Sequence, residues 1–295
     1  MFRSLSVSIC LILLPVAAQA TTVLTSFKPI QMIVTELTES VTTPEALMNS
    51  NASPHDYALR PSDVKKLHNA DLFIWFGPEL ESFLTKVTEG KSNVLTISSI
   101  PDLELREYGG GDHSDHEGHD HGSHDAHFWL GSEQVKVVAT AISKKLADTD
   151  PENAATYQSN LVDFLETLTS TEQDIAEALK PVQSKGYYVF HDAYGYFEET
   201  YGLNNLGYFT VSPDRKPGAK TLITIRKTLV KEDVRCVFSE PQFTPAVIDS
   251  VTRGSSVKKG VLDPVGSNIK VESGSYFSFL KQISNSYVEC LSDSE

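Results

Sequence analysis

The sequence predicts an α/β protein of two similar lobes, each a small, mostly parallel sheet flanked by helices, joined by one long linking helix. Three observations predict it. Short apolar runs alternate with amphipathic stretches in both halves of the chain. The order helix, ADLFIW, Gly-Pro-Glu, helix in the first half returns in the second as helix, VRCVFS, Glu-Pro-Gln, helix. Between them, residues 150–180 carry an unbroken helical pattern. With 295 residues, the chain has room for two ordinary domains or one large one.

The elements follow in order. Residues 1–20 read as a secretory leader: Arg3 supplies the charge, Ile9 to Leu14 the apolar stretch and Ala18-Gln19-Ala20 the small-residue cleavage site. It is too short for a stable anchor, and no other apolar run of about 18 residues occurs. The first lobe is expected over 21–149. Val23–Val34 is a strand running into a helix, Ser62 opens a helix, and Asp71–Phe76 is an apolar strand broken by Gly77-Pro78. Glu79–Val87 resumes as helix, and Val94–Ile97 is a further strand. In the linking helix, 150–181, Asp150 suits the cap and Pro151 the first turn. Tyr157, Leu161, Phe164, Leu168, Ile175 and Leu179 then recur on one face until Pro181. The second lobe, 182–295, reads as strand Gly186–Phe190, helix Tyr194–Tyr201, strand Leu206–Val211, helix Lys220–Lys231, strand Val234–Ser239 and helix Pro245–Arg253.

The formal charge is −14, which argues against nucleic acid or anionic lipid as a partner and suits a cationic ligand. Cys10 departs with the leader, leaving Cys236 and Cys290. In an exported chain an even pair favours a disulfide over a metal site, with two free thiols as the alternative.

The histidines carry the chemistry. Residues 109–130 hold six of them with five carboxylates. His113, His116, His119, His121 and His124 fall in a Gly/Asp-rich loop, 109–126, with almost nothing apolar to bury. Ordering such a coil costs roughly 1–2 kcal/mol per residue, so these five are expected to be weak, accessory metal ligands or a solvated spacer. His68 lies on a surface helix. His55 (SPHDYALRP), His127 (AHFWLG) and His191 (YVFHDAYGYF) have apolar or structured neighbours, and His191 ends a strand, where open α/β sheets place ligands. Three neutral imidazoles make a good zinc site. Asp263, in LDPVG, is the candidate fourth ligand and water its competitor. Three nitrogens with at most one carboxylate favour zinc over manganese. Because the imidazoles must be neutral, affinity is expected to fall below about pH 6.

The blocks SPHDYALRPSDV, AHFWLG, VFHDAYGYFE, SEPQF and LDPVGSNI resemble the zinc-binding members of the cluster A-I (cluster 9) metal-binding subunits of bacterial ABC importers, over essentially the whole mature chain. The resemblance implies an interlobe zinc site at His55, His127 and His191, with Asp263 at the fourth corner. It also implies a Cys236–Cys290 disulfide and a histidine-rich loop as a mark of zinc members. Pro54 departs from members that carry a carboxylate before the first histidine, which leaves the fourth ligand open.

The implied function is a monomeric, non-enzymic periplasmic carrier that captures Zn2+ as its transported ligand. It passes the ion to a permease and its ATPase at the inner membrane, without inserting in the membrane itself. The alternatives are a zinc-dependent hydrolase and a stand-alone zinc buffer. The hydrolase lacks HExxH and GxSxG motifs and has Glu240 as its nearest general base, a residue that otherwise reads as part of a turn or of lobe packing.

Overall fold

The structure, a computed structural model, describes residues 21–108, 124–213, 217–231, 234–243 and 246–293; the segment 1–20, expected to be a leader, lies outside them. Among the described residues are two four-stranded parallel sheets of one topology. The first has the order β2 (Glu45–Ala46), β1 (Val23–Thr25), β3 (Leu72–Trp75), β4 (Val94–Thr96). The second has the order β6 (Asn205–Thr210), β5 (Gly186–His191), β7 (Val234–Ser239), β8 (Lys258–Val261). The first strand of each lobe lies inside its sheet, so the repeated sequence grammar corresponds to a repeated topology. The central strands β3 and β5 are buried throughout, as parallel strands covered on both faces must be.

The helices of the first half are α1 (Lys28–Leu37), α2 (Pro61–Asn69), α3 (Thr85–Thr88) and α4 (Ser132–Thr149). The sequence suggests helix from Glu79 on, but α3 begins later. Glu81 folds back instead, its Oε2 accepting from the amides of Phe76 at 2.8 Å and Gly77 at 3.4 Å, so residues 77–81 close as a turn.

The linking segment is helical from Pro151 to Val182, with 3-10 turns flanking α5 (Ala154–Leu179). The α5 helix alone is roughly 40 Å long at 1.5 Å per residue. The six apolar residues of the predicted stripe are all buried, joined by Thr171.

After it come α6 (Gly195–Tyr201), α7 (Ala219–Lys231), α8 (Ala246–Thr252) and α9 (Ser275–Leu291). The α9 helix was not placed from sequence. It buries Tyr276, Leu280, Ile283, Tyr287 and Leu291, a three-to-four spacing that its serines and polar flanks obscure. Cys236 of β7 and Cys290 of α9 form a disulfide with Cα atoms 5.9 Å apart. Closing that loop contributes roughly 4 kcal/mol in the chain-entropy picture.

One large core runs through both lobes, from Ile33 and Leu72 through Trp129 and Leu168 to Tyr276 and Tyr287. Polar bonds reinforce it across the lobes. Trp129 Nε1 donates to the Pro264 carbonyl at 2.7 Å, Tyr276 OH to the Trp129 carbonyl at 2.7 Å, and Lys28 Nζ to the Ser267 carbonyl at 2.8 Å. The Glu36 carboxylate receives the Gly274 amide at the start of α9.

Candidate metal centre

The carboxyl ends of both sheets face one crevice, and loops leaving them deliver three histidines to it. His55 lies in the loop between β2 and α2, His127 opens the 3-10 turn Phe128–Leu130, and His191 is the last residue of β5. His127 Nε2 is 3.3 Å from His55 Nε2 and 3.2 Å from His191 Nε2. One ring nitrogen from each residue lies within 4.8 Å of both others. A tetrahedron with metal–nitrogen bonds of 2.0–2.1 Å has an edge of roughly 3.3–3.4 Å, and the two Nε2–Nε2 separations are close to that edge. The cavity lined by the three rings, Trp129, Glu240 and Gln242 is about 10 Å³, room for a single ion or water.

The rings are held from behind. His127 Nδ1 donates to Asp125 Oδ1 at 2.7 Å, and the same oxygen accepts the His127 amide at 3.0 Å. His191 Nδ1 lies 2.7 and 2.8 Å from the two oxygens of Glu240. A carboxylate can only accept, so Nδ1 carries the proton in both rings and Nε2 is left as a lone pair facing the crevice. Asp125 and Glu240 are buried at 0 % and 3 % exposure, which fixes their orientation. Trp129 packs edge-on to His127 with ring centroids 5.0 Å apart. Tyr194 is fully buried; burial first, then the charge of Glu240, push its phenol pKa well up. Asp192, beside His191, is raised by burial against the opposing pull of Arg106. His55 is the partly exposed ring of the three, so solvent approaches from its side.

Asp263 does not join the cluster. Its Oδ1 accepts from Gln242 Nε2 at 2.8 Å and the Val265 amide at 3.2 Å, and its Oδ2 from the Ser267 amide at 2.6 Å and the Ser267 hydroxyl. Both oxygens are engaged in shaping the 263–267 turn. Of the loop histidines, His113, His116, His119 and His121 lie outside the described residues. His124 is exposed and forms an antiparallel bridge with Glu107. The expected solvated loop ends earlier than predicted, because Asp125 and Ala126 are buried. His68 is an exposed residue of α2.

Comparison with known proteins places this geometry. The family model for the periplasmic zinc-uptake complex component A, ZnuA, matches residues 23–290. The chain belongs to the ZnuA family. The high-affinity zinc uptake system protein ZnuA of Yersinia pestis is 43% identical over 290 residues, covering 91% of each chain. That of Haemophilus ducreyi is 41% identical over 288 residues, covering 91% of this chain and 93% of its own. Among solved structures, a crystal structure of ZnuA superposes with a TM-score of 0.79 at 25% identity, covering 93% of this chain and all of the other. A zinc-bound ZnuA mutant lacking its residues 138–173 gives the same score at 24% identity, covering 94% of this chain and all of the other. The family resemblance read from the sequence is therefore correct, and the two-lobed fold is the fold of ZnuA proteins.

Sequence reasoning missed the two carboxylates behind the rings. The sequence pattern places Asp125 in the loop, although its position two residues before His127 suits a side chain returning to its own neighbour. From sequence Glu240 reads as a general base or as part of a turn or of lobe packing, since its pairing with His191 spans 49 positions.

Proposed function

We propose that this protein is the periplasmic zinc carrier of an ABC importer. It captures Zn2+ between its lobes on His55, His127 and His191 and delivers the ion to a permease and its ATPase at the inner membrane. The observation that carries the reading is the meeting of three ring nitrogens, with His127 Nε2 at tetrahedral-edge spacing from the Nε2 atoms of His55 and His191, and with the rings of His127 and His191 oriented by buried carboxylates. Family membership supports the transport role, and the relatives at 41–43% identity are named as zinc uptake proteins.

The fourth position falls to water in this reading, since Asp263 is committed to its own turn. Zinc stays the favoured ion, because a site of neutral nitrogens without a carboxylate suits manganese poorly. The chain is read as a monomer, exported through the leader at 1–20, with lobes at 21–149 and 182–295.

Hydrolysis is disfavoured because Glu240, the nearest general base, spends both oxygens on His191. His55→Ala, His127→Ala and His191→Ala are each expected to weaken zinc binding at least 100-fold in chelator competition. Each is also expected to fail to restore growth of a carrier-deleted strain under zinc starvation. Wild-type affinity in any of the three variants contradicts the site. Tight binding with full growth in the absence of the protein reduces it to a buffer.

A further inference from the structure

We propose that Arg106 is a positioning residue of the metal centre, acting through Asp125 on His127 and tying that ligand to the lobe that carries His191. The inference rests on the reading of the three histidines as zinc ligands.

Asp125 divides its two oxygens. Oδ1 holds the ring and amide of His127, and Oδ2 lies 3.0 Å from Arg106 Nη1. The same Nη1 is 3.5 Å from Asp192 Oδ1, next to His191, and Arg106 Nε donates to Glu199 on α6 at 2.8 Å. One planar guanidinium thus faces carboxylates on both sides of the crevice, with Nη1 between Asp125 and Asp192 and Nε held by Glu199, a spread of donors over two nitrogens that a lysine's single nitrogen lacks. The backbone repeats the link. The Asp125 amide donates to the Arg106 carbonyl at 2.7 Å, the Arg106 amide to Tyr196 OH at 2.8 Å, and Tyr196 OH to the Asp125 carbonyl at 2.7 Å.

Gly195, at the start of α6, makes room for this arrangement: a Cβ there would stand 2.2 Å from Arg106 Cζ. The contact with exposed Glu199 is a surface pair of small worth. The consequential partners are Asp125 and Asp192, at 0 % and 5 % exposure. Without the guanidinium, Asp125 loses the group that fixes its second oxygen. It can then turn off the Nδ1 axis of His127, and the ring loses its aim.

The test is a double-mutant cycle in zinc affinity, by chelator competition at constant pH, with apo-protein melting as the check on folding. R106Q and D125N are each expected to weaken binding about 10–100-fold, the range for partners of metal ligands. The double variant R106Q/D125N is expected within about threefold of the worse single, since both changes break one chain of contacts. R106K is expected to fall about tenfold below wild type, and K66Q, which removes an exposed cation, to stay within about twofold. Wild-type affinity in R106Q, or losses that multiply in the double variant, overturns the inference. If R106Q does not fold, R106K decides: a loss of about tenfold upholds the role and wild-type affinity overturns it. H127A separates the two readings. If it binds zinc as wild type does, the ligand assignment itself fails; if it loses zinc while R106Q keeps it, only the role of Arg106 fails.

Discussion

At the scale of single residues, the centre depends on acceptors placed behind donors, and a further buried carboxylate, away from the rings, shows what burying such a group costs. Glu81 is fully buried at the end of β3, and burial pushes its pKa up to about 7, against the pull of Ser26 and the amides of Phe76 and Gly77. The unfolded chain releases that proton near the ordinary glutamate pKa of about 4.3, whereas the folded chain keeps it until about pH 7. The unfolded state therefore binds fewer protons over this window. Glu81 lowers stability as pH rises from about 4.5 to about 7 and changes nothing further above it. E81Q keeps the shape and the acceptor without the charge. The drop in melting temperature of zinc-free protein between pH 5 and pH 8 is expected to shrink by a few degrees in this variant, on a scale of about 2–4 °C per kcal/mol. An unchanged profile in E81Q contradicts the assignment. The three histidines were legible because each sits beside apolar or structured neighbours. Asp125 and Glu240 were not legible as their partners, because a carboxylate accepting from Nδ1 leaves no mark in spacing.

At the scale of elements, the boundary between loop and centre moved. The sequence assigns 109–126 to one solvated loop, but its last three residues return to the fold: His124 bridges Glu107, Asp125 aims His127 and Ala126 is buried. Deleting residues 110–123 is expected to remove weak additional zinc equivalents while leaving one tight equivalent within about threefold of wild-type affinity. Extending the deletion through Asp125 is expected to weaken the tight equivalent about 10–100-fold. Calorimetric titration of the two variants distinguishes these outcomes, and loss of the tight equivalent in the shorter deletion would falsify the assignment. The strands and most helices were readable because buried parallel strands appear as short apolar runs with clear breakers. The sequence predicts helix from Glu79, whereas residues 77–81 close as a turn, with Leu80 and Glu81 donating to the Gly77 carbonyl, and α3 starts only at Thr85. The β2 strand, two residues long, offers no periodicity to read.

At the scale of the whole molecule, the repeated 2-1-3-4 strand order directs both sets of carboxyl ends into one crevice, and the long α5 helix passes alongside both lobes. The Trp129–Pro264, Tyr276–Trp129, Lys28–Ser267 and Glu36–Gly274 bonds join the first half of the chain to the segment 263–276. Opening wide would break several of them together, so zinc is expected to enter past partly exposed His55 with limited lobe movement. The repeat was visible in the sequence as two copies of one helix–strand–turn–helix grammar. The cross-lobe bonds were not, since each joins residues more than 130 positions apart. The most direct test is anomalous diffraction at the zinc edge from crystals grown with one equivalent of the metal. One peak is expected, about 2.0–2.1 Å from Nε2 of His55, His127 and His191. A principal peak elsewhere, on the 109–123 segment or on the Asp263 carboxylate without the three rings, would contradict it.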